Sequence, residues 1–279
     1  MKYFNFFSVV LLVVISSCTK DKDPEIPTDN GVITSYFPLK TNNYWTYETT
    51  NTSLDPIDPI HIGRDSLYVG NDSIINVITY KKMKTKNLPT GFFCGALRNN
   101  GLREDGQLIK ITGGVSVNLG ESLPIDFSVN DFVLFKENAT IAEEFGKTSG
   151  TFIKTISTLP DYPLTINYVL TAKEDGTLPT FKSANGVDYV DVKRVKLVLN
   201  VKISSAYTFP APIGTVKINV LNPEYQNVLV SYQYYAKNYG LIQSDTTIEY
   251  HLNASLPLGT IPAEGKLTTN EYLLTKQIN

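Results

Sequence analysis

The sequence predicts an all-β fold with a mostly antiparallel sheet, built as a curved sheet, a barrel or a sandwich with few or no helices after the first residues. Three observations support this prediction. Tyrosine, threonine, valine and isoleucine dominate most segments, and these residues favour strands. Apolar and polar residues alternate with a period of two, whereas helical periodicity is nearly absent. Turn residues recur at short intervals, which leaves little room for the crossovers that parallel strands need.

The clearest predicted strand is 195–203, where apolar residues occupy every odd position and Lys196, Asn200 and Lys202 lie between them. This alternation places one side of a strand on a core and the other in water. Further strands are predicted at 165–171, 216–220, 228–236 and 240–251. In the third of these, the apolar side is expected to consist of Val228, Val230, Tyr232, Tyr234 and Ala236.

Tight hairpins are predicted where asparagine or aspartate precedes glycine, at 30–31, 100–101, 105–106, 175–176 and 185–186. Residues 76–84 and 185–193 share asparagine, tyrosine and lysine at equal spacing, and each would open a strand after a hairpin. A duplication with two related halves, divided near 140–160, would explain this similarity. Local convergence on hairpin chemistry is the alternative explanation.

The first 17 residues have the pattern of a signal peptide. Lys2 is followed by an apolar run over 6–15, which is shorter than the roughly 20 apolar residues of a membrane-spanning helix. Ile15-Ser16-Ser17-Cys18 resembles the bacterial lipobox, in which the cysteine is acylated and becomes the first residue of the mature protein. The resemblance implies a membrane tether at Cys18. The alternative is an ordinary secreted protein in which Cys18 has no special role.

The residues after Cys18 predict a flexible linker over 18–31 and a β-rich domain over 32–279. In Gram-negative lipoproteins an aspartate directly after the acylated cysteine marks retention in the inner membrane. This chain has Thr19 at that position, and the absence of aspartate favours the outer membrane. Residues 20–25 are charged and resemble the segment that directs Bacteroidetes lipoproteins to the cell surface. A plain solvated tether is the alternative interpretation of that run.

Composition limits the classes of function. Removing residues 1–17 loses Lys2 as the only charged group, leaving 24 basic against 27 acidic residues, which is not typical of a nucleic-acid binder. Cys94 is the second of two cysteines, so no disulfide is expected once Cys18 is acylated. The apolar surroundings of Cys94 favour a buried, inert thiol over a reactive nucleophile.

Two phrases resemble a known family. Tyr36 to Glu48 reads YFPLKTNNYWTYE, and 235–244 reads YAKNYGLIQS. These resemble the opening phrase and a late strand pair of uncharacterised Bacteroidetes outer-membrane lipoproteins. The family pattern has glycine where this chain has Asn42, and asparagine also tolerates a positive φ. Gly240 is expected to allow a bend or bulge between two strands.

Trp45 is the only tryptophan. We expect it to be a buried side chain of the strand 44–47, facing opposite to both Tyr44 and Tyr47. The alternative is a stacking platform that binds a sugar.

No sequence pattern for catalysis, a metal or a cofactor is present. The chain lacks His-x-x-x-His, Cys-x-x-Cys, Gly-x-Ser-x-Gly and phosphate-loop patterns. Asp55, Asp58 and His61 leave a loop calcium site as a remote alternative, and no cofactor is expected. The adjacent acids at 104–105, 143–144 and 174–175 are interpreted as solvated loop charges.

The expected function is therefore non-enzymatic. A β domain tethered through acylated Cys18 would bind an apolar ligand or an envelope protein, or serve as a structural envelope component. A glycan-binding accessory lipoprotein is the first alternative. A glycoside hydrolase with two carboxylates is the second, because that chemistry needs only two acids roughly 5–10 Å apart.

Overall fold

The computed structural model describes residues 35–54, 59–119, 123–155, 163–209, 212, 214–253 and 262–279, all within one compact unit. The predictions for the signal peptide, Cys18, the linker and the turn at 30–31 lie outside these residues. Asp55 and Asp58 also lie outside them, while His61 is on a strand. In the part of the chain that is described, no helix is long and apolar enough to cross a membrane.

The described residues form one 13-stranded antiparallel sheet, which confirms the all-β prediction. The strands in chain order are β1 Tyr44–Ser53, β2 Ile60–Ile75, β3 Ile78–Lys84, β4 Gly101–Asp105, β5 Leu108–Leu119, β6 Leu123–Lys136, β7 Glu144–Lys154, β8 Leu164–Lys182, β9 Asp188–Phe209, β10 Gly214–Asn219, β11 Tyr225–Ala236, β12 Gly240–His251 and β13 Glu264–Gln277. One short helix, α1, spans Phe92–Leu97 between β3 and β4.

The sheet curls on itself into a nearly closed, barrel-like form. Its strand order is β6-β5-β4-β3-β2-β1-β13-β12-β11-β9-β8-β7, with β10 paired separately to β9. The two end strands meet, because Lys154 Nζ of β7 donates to Pro124 O at 2.5 Å and lies 3.1 Å from Asp126 Oδ2 of β6. Inward-facing side chains from nearly every strand therefore share one core.

Strand β9 contains the clearest predicted strand, and the expected alternation is confirmed. Val195, Leu197, Leu199, Val201 and Ile203 are buried, while the residues between them are partly exposed. The predicted strands at 165–171, 216–220 and 240–251 fall within or largely on β8, β10 and β12. Burying alternate branched side chains on one side is what holds these long strands to the core.

The predicted apolar side of β11 is wrong. Leu229, Ser231, Gln233 and Tyr235 face the interior, and Val230, Tyr232 and Tyr234 are only partly buried. Register shifts at 227–229 and 234–235 place Val228 and Ala236 inside as well. The alternation was identified correctly but assigned to the wrong side, because polar Ser231 and Gln233 are stabilised inside the protein by hydrogen bonds.

Trp45 is buried as predicted, but Tyr47 does not face away from it. Both are 1% exposed, whereas Tyr44 is 37% exposed. Residues two apart on a strand share a side, so Trp45 and Tyr47 point inward together.

Two of the predicted turns connect paired strands. Gly106 and Gly186, each with a positive φ, lie in the β4–β5 and β8–β9 turns. The pair at 175–176 instead forms a bulge within β8, and the pair at 100–101 joins α1 to β4. Residues 76–77 also turn between β2 and β3, so both similar segments follow a turn. The duplication itself stays a prediction.

Candidate functional site

The site lies where the wall of the sheet is interrupted. The β2–β3 pairing reaches no further than Tyr68 opposite Lys84, and the β4–β5 pairing no further than Gly101 opposite Thr112. Among the described residues, no strand therefore lies between residues 60–67 of β2 and residues 113–119 of β5, and the facing edges of both are unpaired with any strand. We call this interruption the wall gap, and the chain that crosses it, 85–100, the plug segment.

Helix α1 turns the plug segment into the interior. Phe93, Cys94 and Leu97 are fully buried. The ring of Phe93 lies 6.1 Å from that of Tyr47 and 6.5 Å from that of Tyr235. Aromatic contacts at these distances favour edge-on packing, so the helix is seated among rings from β1 and β11.

Asp65 of β2 binds the start of the plug segment. Its carboxylate accepts hydrogen bonds from the backbone N–H of Thr90 at 2.9 Å and of Gly91 at 2.7 Å. The Thr90 hydroxyl donates to the same carboxylate and contacts the hydroxyl of Thr49. Asp65 is 4% exposed, and its buried charge is compensated by these donors.

Glu271 of β13 binds the first turn of α1. It accepts hydrogen bonds from Phe93 N–H at 2.7 Å and Cys94 N–H at 3.2 Å and is completely buried. Gly91 permits this approach, since a Cβ there would lie 2.1 Å from the Glu271 carboxylate. Two carboxylates from different strands thus satisfy backbone donors that the start of a short helix leaves unpaired.

Burial, with a smaller contribution from the nearby Asp65 charge, raises the pKa of Glu271 to about 7, against the opposing effect of the N–H donors of Phe93 and Cys94. Burial also raises the pKa of the Cys94 thiol, with Glu271 and Asp65 adding to the effect. A thiol held protonated is a poor nucleophile. The prediction that Cys94 is buried is confirmed, and its inertness stays a prediction.

Asp65, Cys94 and Glu271 bring potential metal-ligand atoms within 4.8 Å of one another. The carboxylate oxygens of Asp65 and Glu271 accept the backbone hydrogen bonds described above, so the cluster holds the plug segment in place.

At the other end of the plug segment, Asn100 replaces a strand partner for β5. Its side-chain amide donates to Gly114 O at 2.7 Å and accepts from Gly114 N–H at 3.0 Å. The neighbouring Gly113 has φ 146°, and a Cβ there would lie 1.9 Å from Asn100 Oδ1. Beyond Gly114 this edge of β5 has no protein partner in the described residues.

A cleft of about 700 Å³ opens between the plug segment and this edge of β5, and it extends inward to β12 and β13. Apolar and polar groups both contribute to its surface. The lining residues are Leu88, Pro89, Thr90, Gly91, Phe92, Gly95, Ala96, Arg98, Gly114, Val115, Ser116, Val117, Asn118, Asp126, Phe127, Ser128, Ile248, Leu267 and Thr269.

The cleft meets a smaller apolar cavity of about 30 Å³, and Phe92, Val115, Val117 and Phe127 line both. That volume is roughly the share of one water molecule in the liquid. The deep interior is thus filled by side chains, and the space for a ligand lies in the open cleft.

Trp45 lies outside the cleft lining. Its indole N–H donates to Tyr239 O at 2.6 Å, which joins the two family-like phrases in space. Asn42 has φ 72° and Gly240 has φ 80°, as those phrases imply. The buried Trp45 ring offers no exposed surface on which a sugar could stack. Glycan binding at Trp45 stays an untested prediction.

The acidic pairs have different environments. Glu104, Asp105 and Glu144 are exposed as predicted, but they lie on β4 and β7 and not in loops. Glu143 and Asp175 are partly buried. Glu174 is only 2% exposed, so its assignment as a solvated loop charge is wrong. It lies within β8, where Lys193 is 3.9 Å from its carboxylate.

Sequence reasoning missed Asp65, Glu271 and Asn100. A signal for the two acids is present in hindsight, because Asp65 alternates with Leu67 and Val69, and Glu271 precedes Leu273 by two positions. A carboxylate in the inward series of a strand indicates a buried partner.

Comparisons with known proteins give one distant similarity. No protein-family model matches the chain, and no curated protein matches it. A solved structure described as "a putative lipoprotein from Parabacteroides distasonis ATCC 8503" matches with 9% identity and a TM-score of 0.35, covering 88% of this chain and 99% of that one.

Proposed function

We propose that this chain is a lipid-anchored envelope protein whose barrel-like domain binds a ligand in the cleft without catalysis. The observation that carries the proposal is the cleft of about 700 Å³ along the wall gap. Its size suits a small ligand or a short segment of a partner, since binding sites have volumes of roughly 300–1,000 Å³.

The lining favours an amphipathic ligand. Phe92, Val115, Phe127 and Ile248 offer apolar surface deep in the cleft, while Arg98 is an exposed cation in the lining. The apolar part of a ligand would be buried against these side chains, and Arg98 would select an anionic group on the ligand.

The charges of the lining support binding over catalysis. Among the described residues, Asp126 is the only carboxylate of the lining, and it is paired with Lys154 and Ser116. A glycoside hydrolase requires two acids that reach the substrate. Asp65 and Glu271 are close together, but both are buried and bound to the plug segment.

The anchoring half of the proposal rests on residues 1–18 and on the family-like phrases, and it places the protein in the outer membrane with Cys18 acylated. Cys18→Ala should abolish metabolic labelling with a palmitate analogue and release the protein from the membrane fraction. Cys94→Ala is the matched control and should keep both. Continued labelling of the Cys18→Ala protein would refute the anchor.

The binding half is tested with 1-anilinonaphthalene-8-sulfonate, an apolar anion that fluoresces when bound. Gly95 faces the cleft, and a Cβ added there meets no atom within 4 Å. Gly95→Trp should fill the cleft and weaken dye binding by at least about tenfold, a loss of about 1.4 kcal/mol. Gly95→Ala should bind as wild type. Equal binding by all three proteins would refute the cleft as the binding site.

A further inference from the structure

We propose that the free edge of β5 beyond Gly114, from Val115 to Asn118, binds an extended peptide by strand addition. The peptide would carry apolar residues at alternate positions and an acidic group at the end nearest Arg98. This inference rests on the proposed function, because the added strand would occupy the same cleft. It names the class of partner: an unstructured protein segment that adopts a β-strand on binding.

The backbone of β5 points hydrogen-bonding groups into the cleft. Both the N–H and the C=O of Gly114 face the wall gap, since both bond to the side chain of Asn100. In an antiparallel strand these groups alternate between the two neighbours. Residues 113–119 pair with β6 in unbroken register, so the N–H and C=O of Ser116 and Asn118 face the cleft as well.

Asn100 marks where the added strand would begin. Its amide already makes the two hydrogen bonds that a neighbouring strand would make with Gly114. The next two donor–acceptor pairs, on Ser116 and Asn118, lie along the lining of the cleft. A peptide would therefore continue a ladder that the plug segment starts.

This edge lacks the usual protection. Exposed strand edges normally carry lysine, proline or a bulge that prevents pairing. Residues 114–118 of β5 are Gly-Val-Ser-Val-Asn, with no charge and no proline.

The side chains around the edge define the sequence of the partner. Val115 and Val117 point inward, so peptide residues beside them would meet Phe92 and an apolar surface. Ser116 and Asn118 point outward and suit polar neighbours. Arg98 is exposed and has no ion pair among the described residues, so it would attract an acidic group.

The test uses fluorescence anisotropy with the fluorescein-labelled, C-terminally amidated peptide Thr-Val-Thr-Val-Thr-Val-Glu. Its glutamate lies at the Arg98 end when the peptide continues the antiparallel ladder of β4 on β5. Ser116→Pro removes the N–H that faces the cleft and leaves the pairing with β6 intact, because edge positions tolerate proline. Ser116→Ala is the matched control, since it loses the same hydroxyl but keeps the N–H. We expect Ser116→Pro to weaken peptide binding by at least about tenfold and Ser116→Ala by less than about threefold.

Two N-methylated versions of the peptide provide an independent readout. Methyl groups on one alternate set of amides should abolish binding, and methyl groups on the other set should leave it intact, because one set faces β5. Equal effects of both sets would overturn strand addition. Arg98→Gln should weaken binding of this peptide but not of a version with glutamine in place of glutamate.

The proposal fails if the wild-type protein does not bind the peptide at about 1 mM, or if the proline and alanine variants bind it equally. Ser116-dependent dimerisation without peptide binding would also overturn it, in favour of a second copy of this chain. Dye binding in the cleft separates the two failures. If the dye still binds while the peptide does not, the proposed function survives and only strand addition is overturned.

Discussion

Two regions of the barrel-like sheet, the β8–β9 pair and the wall gap, are stabilised by different interactions. On one side, β8 and β9 pair from Leu164 opposite Ser205 to Lys182 opposite Asp188, and their inner side chains are mainly aliphatic. On the other side, the β3–β4 pairing is confined to Lys81 and Lys82. There the wall is completed by the plug segment, which Asp65, Glu271 and Asn100 hold by hydrogen bonds to its backbone and to β5.

This difference locates the candidate function. A continuous ladder over an aliphatic core loses stability only when much of the domain unfolds, whereas a segment held by a few directional bonds opens at a lower free energy. The cleft and the free edge of β5 are next to the plug segment. The binding site that we propose therefore lies where the sheet is interrupted.

The largest expected effect is on the continuous wall. Leu199→Ala removes a fully buried side chain of β9 and should lower the free energy of unfolding by about 3–5 kcal/mol through lost burial and a new cavity. Val198→Ala, on the half-buried side of the same strand, should cost less than about 1.5 kcal/mol. Urea unfolding measures both free energies. Similar losses in the two variants would show that the interior side of β9 contributes no more to stability than its outer side.

The plug segment should respond locally. Asp65→Ala leaves the N–H groups of Thr90 and Gly91 unpaired and should cost about 2–3 kcal/mol. Hydrogen exchange should rise in 90–97 more than in β9. The control Asp126→Ala removes an exposed carboxylate and should cost at most about 1 kcal/mol. Uniformly faster exchange would mean that the plug segment and wall unfold together.

The continuous wall was predictable from sequence and the interrupted wall was not, for a physical reason. Strand β9 follows a period-two pattern because each inward residue meets the same kind of aliphatic neighbour. The site depends on Asp65, Glu271 and Asn100, which are distant in sequence and meet only through strand order. Helix α1 is too short for a helical period to be visible, and the inward Ser231 and Gln233 of β11 reversed the hydrophobic pattern.

Glu271 should make stability depend on pH. Its pKa is about 7 in the folded protein, above the ordinary value of 4.5, so folding favours the protonated form. The stabilisation is complete below about pH 4.5 and is lost as pH rises towards about 7, by an amount on the order of 3 kcal/mol. Glu271→Gln should flatten this part of the stability curve in urea unfolding at a series of pH values.

A second variant tests how much the charge of Asp65 contributes to that pH dependence. Asp65→Asn removes the neighbouring negative charge that raises the pKa of Glu271, so the loss of stability should finish at a lower pH. An unchanged profile in Glu271→Gln would assign the pH dependence to other groups.

The smallest expected effect is a gain. Gly95 lies inside α1 and lines the cleft, and an added Cβ would meet no atom within 4 Å. Gly95→Ala should therefore raise the free energy of unfolding by about 0.5–1 kcal/mol, because alanine loses less backbone entropy in a helix. The same change at Gly91 should destabilise, since a Cβ there would lie 2.1 Å from the Glu271 carboxylate. Opposite signs at two glycines four residues apart would show that the plug segment is held through its first turn, while the side of the helix at Gly95 is open to the cleft.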